Sequence, residues 1–106
     1  LDLPNVGYLF CVPHIVSYAG EDCEYALKVA NGHIMHYHIA DTPISPNDHK
    51  HMGLGNGEVD FKTFIPKIKQ TGYDRFLTLE IYGEDEHPVD SAKQSKEILE
   101  SLLNEK

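Results

Sequence analysis

Three times along this chain a short apolar run of strand length gives way to an amphipathic run of helical length, and that alternation leaves few folds open. The first apolar run is Val6-Gly-Tyr-Leu-Phe-Cys11, rich in aromatic and branched residues. Residues 12–20 connect it to a predicted helix over 21–30, with Cys23, Ala26, Leu27 and Ala30 on one face. Asn31-Gly32 stops that helix, since either residue tolerates the left-handed conformation at a helix end. The second run is Ile34-Met-His-Tyr-His-Ile39, followed by the long polar loop DTPISPNDHKHMGLGNGEV. Asp60 then serves as N-cap to a helix with Phe61, Phe64, Ile65 and Ile68 at helical spacing, closed by Gly72. Pro66 lacks a backbone donor and crowds the preceding turn, which predicts an irregular first turn or a kink. The third strand is read over 75–81. After GEDEHP, Asp90 is the expected cap of a last helix whose apolar face is Ala92, Ile98, Leu99, Leu102 and Leu103.

Strand–helix alternation implies parallel strands joined by right-handed crossovers, so the chain is of the α/β class, built as three consecutive βα units. At 106 residues it fits one domain, residues 1–106. No nucleotide-binding glycine fingerprint is present: GLGNG precedes a helix but follows a loop rather than a strand, and it does not fit GxGxxG.

The bulk charge narrows the partners. A formal charge of −8 disfavours nonspecific nucleic-acid binding, which relies on Lys and Arg displacing counterions, and makes anionic membranes poor partners. No apolar run approaches the roughly 20 residues that span a bilayer. Two cysteines are too few for a disulfide scaffold, so a cytoplasmic setting with reduced thiols is expected. The opening residues lack an initiator Met and the features of a signal peptide, which suggests a segment of a longer or processed chain.

The chemistry gathers where the strands end. The first finishes at Cys11 with His14 beyond, the second at His38 with Asp41 beyond, the third at Glu80. In parallel βα arrays those ends open onto one face. Sulfur, imidazole and carboxylate are therefore expected side by side at one rim. His36 shares the face of His38 by the period-two alternation of a strand and lies one layer below it. Each residue also has an ordinary reading: histidines in strands are commonly structural, Cys11 and Cys23 can be small buried hydrophobes, and His49 and His51 are expected in solvent. Glu80 is the hardest to dismiss, because a carboxylate following FLTL is costly to bury unpaired.

Taken together, these pieces resemble the C-terminal part of the sugar isomerase/epimerase superfamily, the xylose-isomerase-like TIM barrels related to the second apurinic endonuclease family. The residues that carry the likeness are H-Y-H-I-A-D at 36–41, H-M-G-L-G-N-G-E-V-D-F at 51–61, T-G-Y-D-R-F-L-T-L-E at 71–80 and C-V-P-H-I-V-S-Y-A-G-E-D at 11–22. The resemblance implies a partial (β/α)8 barrel, strands six to eight of about 250 residues. It implies one divalent metal, Mn²⁺, Mg²⁺, Co²⁺ or Zn²⁺, at the strand C-termini. His38 matches the family's metal-binding histidine, Glu80 its final glutamate, and Cys11 the position of a metal-binding aspartate; the family's first glutamate would lie before Leu1. A thiolate in place of a carboxylate favours Zn²⁺ over Mg²⁺ or Mn²⁺.

The implied activity is aldose–ketose isomerisation or ketose epimerisation of a small sugar or sugar phosphate. A metal on adjacent carbonyl and hydroxyl oxygens acidifies the carbon-bound proton, and Glu80 would act as the proton-transferring group. His14, Asp41, Lys50 and His51 would contact substrate, Asp41 alternatively orienting an imidazole. The alternative is a non-catalytic, self-associating barrel fragment with an incomplete metal site. A DNA-repair role is a distant third, because the endonucleases' metal-binding D-x-H reads H-K-H at 49–51 here. In every case three parallel strands leave two open edges, which predicts either a homo-oligomer or completion by the rest of a barrel.

Overall fold

The computed structural model describes residues 4–45, 48–82 and 87–104. Strand β1 (Tyr8–Cys11) leads through a π-helical turn (His14–Tyr18) to helix α1 (Cys23–Ala30). Strand β2 (Ile34–Ile39), helix α2 (Phe61–Gln70), strand β3 (Leu77–Leu79) and helix α3 (Pro88–Asn104) follow. The strands form one parallel sheet in the order β1-β2-β3, so the expected βα repeat is present. The two outer strands are shorter than the 6–11 and 75–81 expected, because each has a partner on one side only. Among the described residues no helix is long and apolar enough to cross a membrane.

Strand alternation sorts the sheet into two faces. Phe10, Tyr37 and Ile39 point beneath the helices and are buried with Phe61, Phe64, Ile65, Ile68, Leu99 and Leu102 in one core. Phe10 lies against both Tyr37 and Phe64, with ring centroids 5.2 and 5.6 Å apart. The opposite face carries Leu9, Cys11, His36, His38, Thr78 and Glu80, and among the described residues no helix covers it. Leu9 is 54 % exposed there, and Phe76, beside the other edge, is 79 % exposed. A cylinder of further strands would bury both.

The helix ends follow their local chemistry. Asp22 caps α1 by accepting from the amide of Glu24, and Asp60 caps α2 by accepting from both the amide and hydroxyl of Thr63. Gly32 and Gly72, just past α1 and α2, have φ of 89° and 79°, where a side chain would be strained.

Two helical expectations need correction. Helix α2 runs unbroken through Pro66 rather than starting irregularly. Proline deprives the carbonyl four residues earlier of its partner, and that residue, Lys62, stands on the exposed side where water can replace it. Helix α3 begins at Pro88, so Asp90 lies within its first turn instead of capping it. Its inward line is Ser91, Ser95, Leu99 and Leu102, while Ala92 and Ile98 face outward. The two serines face inward because the GLGNG loop packs there. The Ser95 hydroxyl accepts from the amide of Leu54, and a Cβ on Gly53 would sit 2.6 Å from the Ser91 Oγ.

Candidate metal centre at the strand ends

The sheet register brings the three expected donors together. Cys11 pairs across from His38, and the amide of Glu80 donates to the carbonyl of Ile39, so the three residues lie abreast at the C-terminal ends of adjacent strands. Their candidate ligand atoms all lie within 4.8 Å of one another. Donors sharing a small divalent ion at about 2.0–2.3 Å are separated by about 3–4 Å, so this trio fits one cation with little adjustment. His38 Nδ1 and a Glu80 carboxylate oxygen are paired directly. His36, one layer below, is bonded through Nε2 to the Thr78 hydroxyl at 3.0 Å, with its ring edge-on to His38.

Cys11 also contacts His14, Sγ to Nδ1 2.9 Å. Burial pushes the Cys11 thiol up from its ordinary value; the bond to His14 pulls the other way and the Glu80 charge adds to the rise. A cation binding here must therefore displace a proton from sulfur, so affinity rises with pH. Cys23, by contrast, is buried under the helices with its thiol pushed up to about 12, mainly by desolvation, and serves the core.

The loop histidines depart from expectation. His51 is only 2 % exposed, stacked on Tyr82 with its Nδ1–H donating to the backbone carbonyl of Glu80 at 3.0 Å. His49 places Nδ1 on the Ser17 hydroxyl, which itself donates to the carbonyl of Pro13, so that His49 nitrogen must carry the proton. With both Nδ1 atoms protonated, the two Nε2 atoms face each other 3.2 Å apart. Both imidazoles are held below their ordinary value, chiefly by desolvation, with the neighbouring histidines adding to it. Cys11, His14 and His51 form a second trio with atoms within 4.8 Å, so Cys11 belongs to both groups. The paired spacing of His49 and His51 was the available signal, but solvent is the ordinary place for a polar loop, and only the tertiary fold turns the loop inward.

A pH dependence follows. Because folding depresses both imidazoles below the ordinary 6.5, the unfolded chain binds more protons in the window just under that value. Stability from this source is complete above pH 6.5 and is lost as pH falls through the depressed folded values. Thermal unfolding of chelator-treated protein should show the midpoint falling between pH 7 and 5, with a shallower slope in His51→Asn. Equal slopes in the two proteins would rule the assignment out.

The remaining expected contacts are less uniform. Lys50 holds its ammonium 3.3 Å from Asp48. Asp41, expected to touch substrate, has 1 % exposure and a carboxylate engaged by three backbone amides, those of Thr42, Gly55 and Val59. It is a fixture of the loop.

Comparison with known proteins places this geometry in context. The family profile described as xylose isomerase-like TIM barrel matches residues 1–102. An uncharacterized protein of Methanocaldococcus jannaschii is 30 % identical over 103 residues, covering 97 % of this chain and 33 % of that protein. The L-ribulose-5-phosphate 3-epimerase UlaE of Salmonella paratyphi A is 30 % identical over 83 residues, covering 77 % of this chain and 28 % of the enzyme. A crystal structure of a D-tagatose 3-epimerase-like protein superposes with a TM-score of 0.77 at 25 % identity, covering 97 % of this chain and 36 % of that one. The chain thus spans about a third of the length of the proteins it matches.

Proposed function

Because the chain belongs to the xylose isomerase-like TIM barrel family, we propose that it supplies the C-terminal third, strands six to eight, of a barrel that isomerises or epimerises a sugar or sugar phosphate with a divalent metal. The observation carrying this reading is the convergence of Cys11, His38 and Glu80 on the open inner face. Further support comes from the epimerase names among its relatives.

In this reading Cys11, His38 and Glu80 hold the cation. A divalent ion held by these residues would supply Lewis-acid polarisation of the sugar's oxygens, making the neighbouring carbon-bound proton more acidic. Glu80 would take that proton on its carboxylate and return it to the neighbouring carbon for isomerisation, whereas inversion at one carbon would draw the returning proton from a second acid on the opposite face, supplied by the rest of the barrel. His38, paired with Glu80, aims the carboxylate into the cleft. His14, Lys50 and His51 hold substrate hydroxyls or a phosphate. The exposed Leu9 and Phe76 at the sheet edges are covered by the remaining βα units, or by a second copy in their place. Reduced thiols at Cys11 and Cys23 suit a cytoplasmic setting.

Cation titration by calorimetry tests the reading. The protein is expected to bind one Zn²⁺ or Co²⁺ through this trio, the Co²⁺ form showing thiolate-to-metal absorption, and His38→Ala to abolish it. Cys11→Asp should exchange preference toward Mn²⁺ and Mg²⁺, because a carboxylate suits harder ions. No stoichiometric binding of any of these ions would leave the non-catalytic barrel segment as the better description.

A further inference from the structure

We infer that Asp41 is a positioning residue for the metal centre, acting through the backbone of residues 48–59 in the loop after it to hold His51 against Glu80. The inference rests on the reading of the strand ends as a cation site, but its geometry stands apart from it.

The loop is built around one buried carboxylate. Oδ1 of Asp41 accepts from the amides of Thr42 at 2.9 Å and Val59 at 3.0 Å, and Oδ2 accepts from Gly55 at 2.9 Å. A buried charge survives only when its lone pairs are satisfied, and here amides from both ends of the loop converge to satisfy them. The fit is close: a Cβ on Gly57 would lie 2.5 Å from Oδ1 and 2.7 Å from the Thr42 amide nitrogen. The carboxylate therefore specifies the path of the loop as well as its closure.

That path reaches the metal centre in two steps. The backbone of Asp41 exchanges hydrogen bonds with Met52, both at 2.8 Å. The preceding residue, His51, accepts from the amide of Tyr82 at 3.1 Å and donates from its ring to the Glu80 carbonyl. Residues 51 and 52 are thus strapped between the exits of β2 and β3. Asp41 anchors one side of the strap, and Glu80 hangs on the other. Removing the carboxylate releases the Gly55 and Val59 amides, frees the strap, and lets the Glu80 carboxylate drift from Cys11 and His38.

The test uses Asp41→Asn and Asp41→Ala in the whole protein, with two readouts. The first is the slowly exchanging His51 Nδ1–H proton in NMR, which reports the bond to Glu80 without any metal. It should persist in the native chain and vanish in Asp41→Ala, while the amides of Tyr37 and Ile39 stay protected. Asparagine keeps one carbonyl acceptor but turns a donor toward one of the amides, so Asp41→Asn should retain the fold and show a weakened signal. The second readout is Co²⁺ affinity, expected to fall about tenfold or more in Asp41→Ala, the usual effect of losing a group that orients a ligand. An unchanged His51 signal in both variants overturns the positioning role whatever the metal does. Absent Co²⁺ binding in the native protein overturns the cation reading instead, and the NMR comparison still decides the role of Asp41.

Discussion

Under the proposed function, Glu80→Gln should lower sugar turnover by about 10²–10⁴-fold, the range set by removing a positioned acid–base group. Glutamine has nearly the same shape, keeps one oxygen to accept from His38 and to face a cation, and cannot take a proton at neutral pH. Glutamine is a weaker, uncharged ligand, so the comparison is made at saturating cation, where substrate binding should change far less than kcat. Solvent deuterium incorporation at the sugar carbon isolates the proton-transfer step, and it should fall in parallel with turnover. Exchange persisting at the native rate would remove Glu80 from the chemistry. Turnover lost only through a weaker KM would reduce it to a ligand. The parent geometry makes the distinction sharp, because the carboxylate already meets an imidazole on one side and lies within 4.8 Å of a thiol on the other.

Ile39→Ala should destabilise the fold by about 2–5 kcal/mol, the cost of deleting a large buried aliphatic side chain that its surroundings cannot fully replace. Ile39 has 0 % exposure at the centre of the sheet, and its carbonyl accepts from the Glu80 amide. Against a total stability of about 5–15 kcal/mol for a domain, such a loss is severe. Urea unfolding followed by circular dichroism would measure it. The comparison is Ile98→Ala on α3, where the residue is 39 % exposed and the expected loss is below about 1 kcal/mol. If Ile98 proves as costly as Ile39, a further element covers α3 in solution, and Ile98 is not the outward-facing residue described. A mild Ile39 substitution would mean that the helices do not pack on the sheet as described.

The strands were the most legible part of the chain, and β2 the most legible strand. Its residues 34–39 follow from an apolar run bounded by Gly32 and the Asp41 loop, and both neighbours satisfy it. The outer strands lost residues at their ends because pairing, rather than propensity, sets where a strand stops. Helix α3 misled the periodicity argument for a different reason. Its serines look like solvent residues, yet Ser95 faces inward to satisfy the Leu54 amide, a partner forty-one positions away. A hydrogen bond at that separation leaves no mark on local hydropathy. The loop at 41–59 was opaque for the same cause: the inward turn of His51 depends on Asp41, Tyr82 and Glu80 at once.

Residue order alone determined that three parallel strands would end in a thiol, an imidazole and a carboxylate, because side-chain alternation and βα connectivity are local, repeating rules. Tertiary structure alone decided which of those groups touch, that His51 is buried beside them, and that Asp41 serves the loop. Those outcomes depend on register, packing and buried hydrogen bonds between segments far apart in the chain, where no short-range pattern can record them.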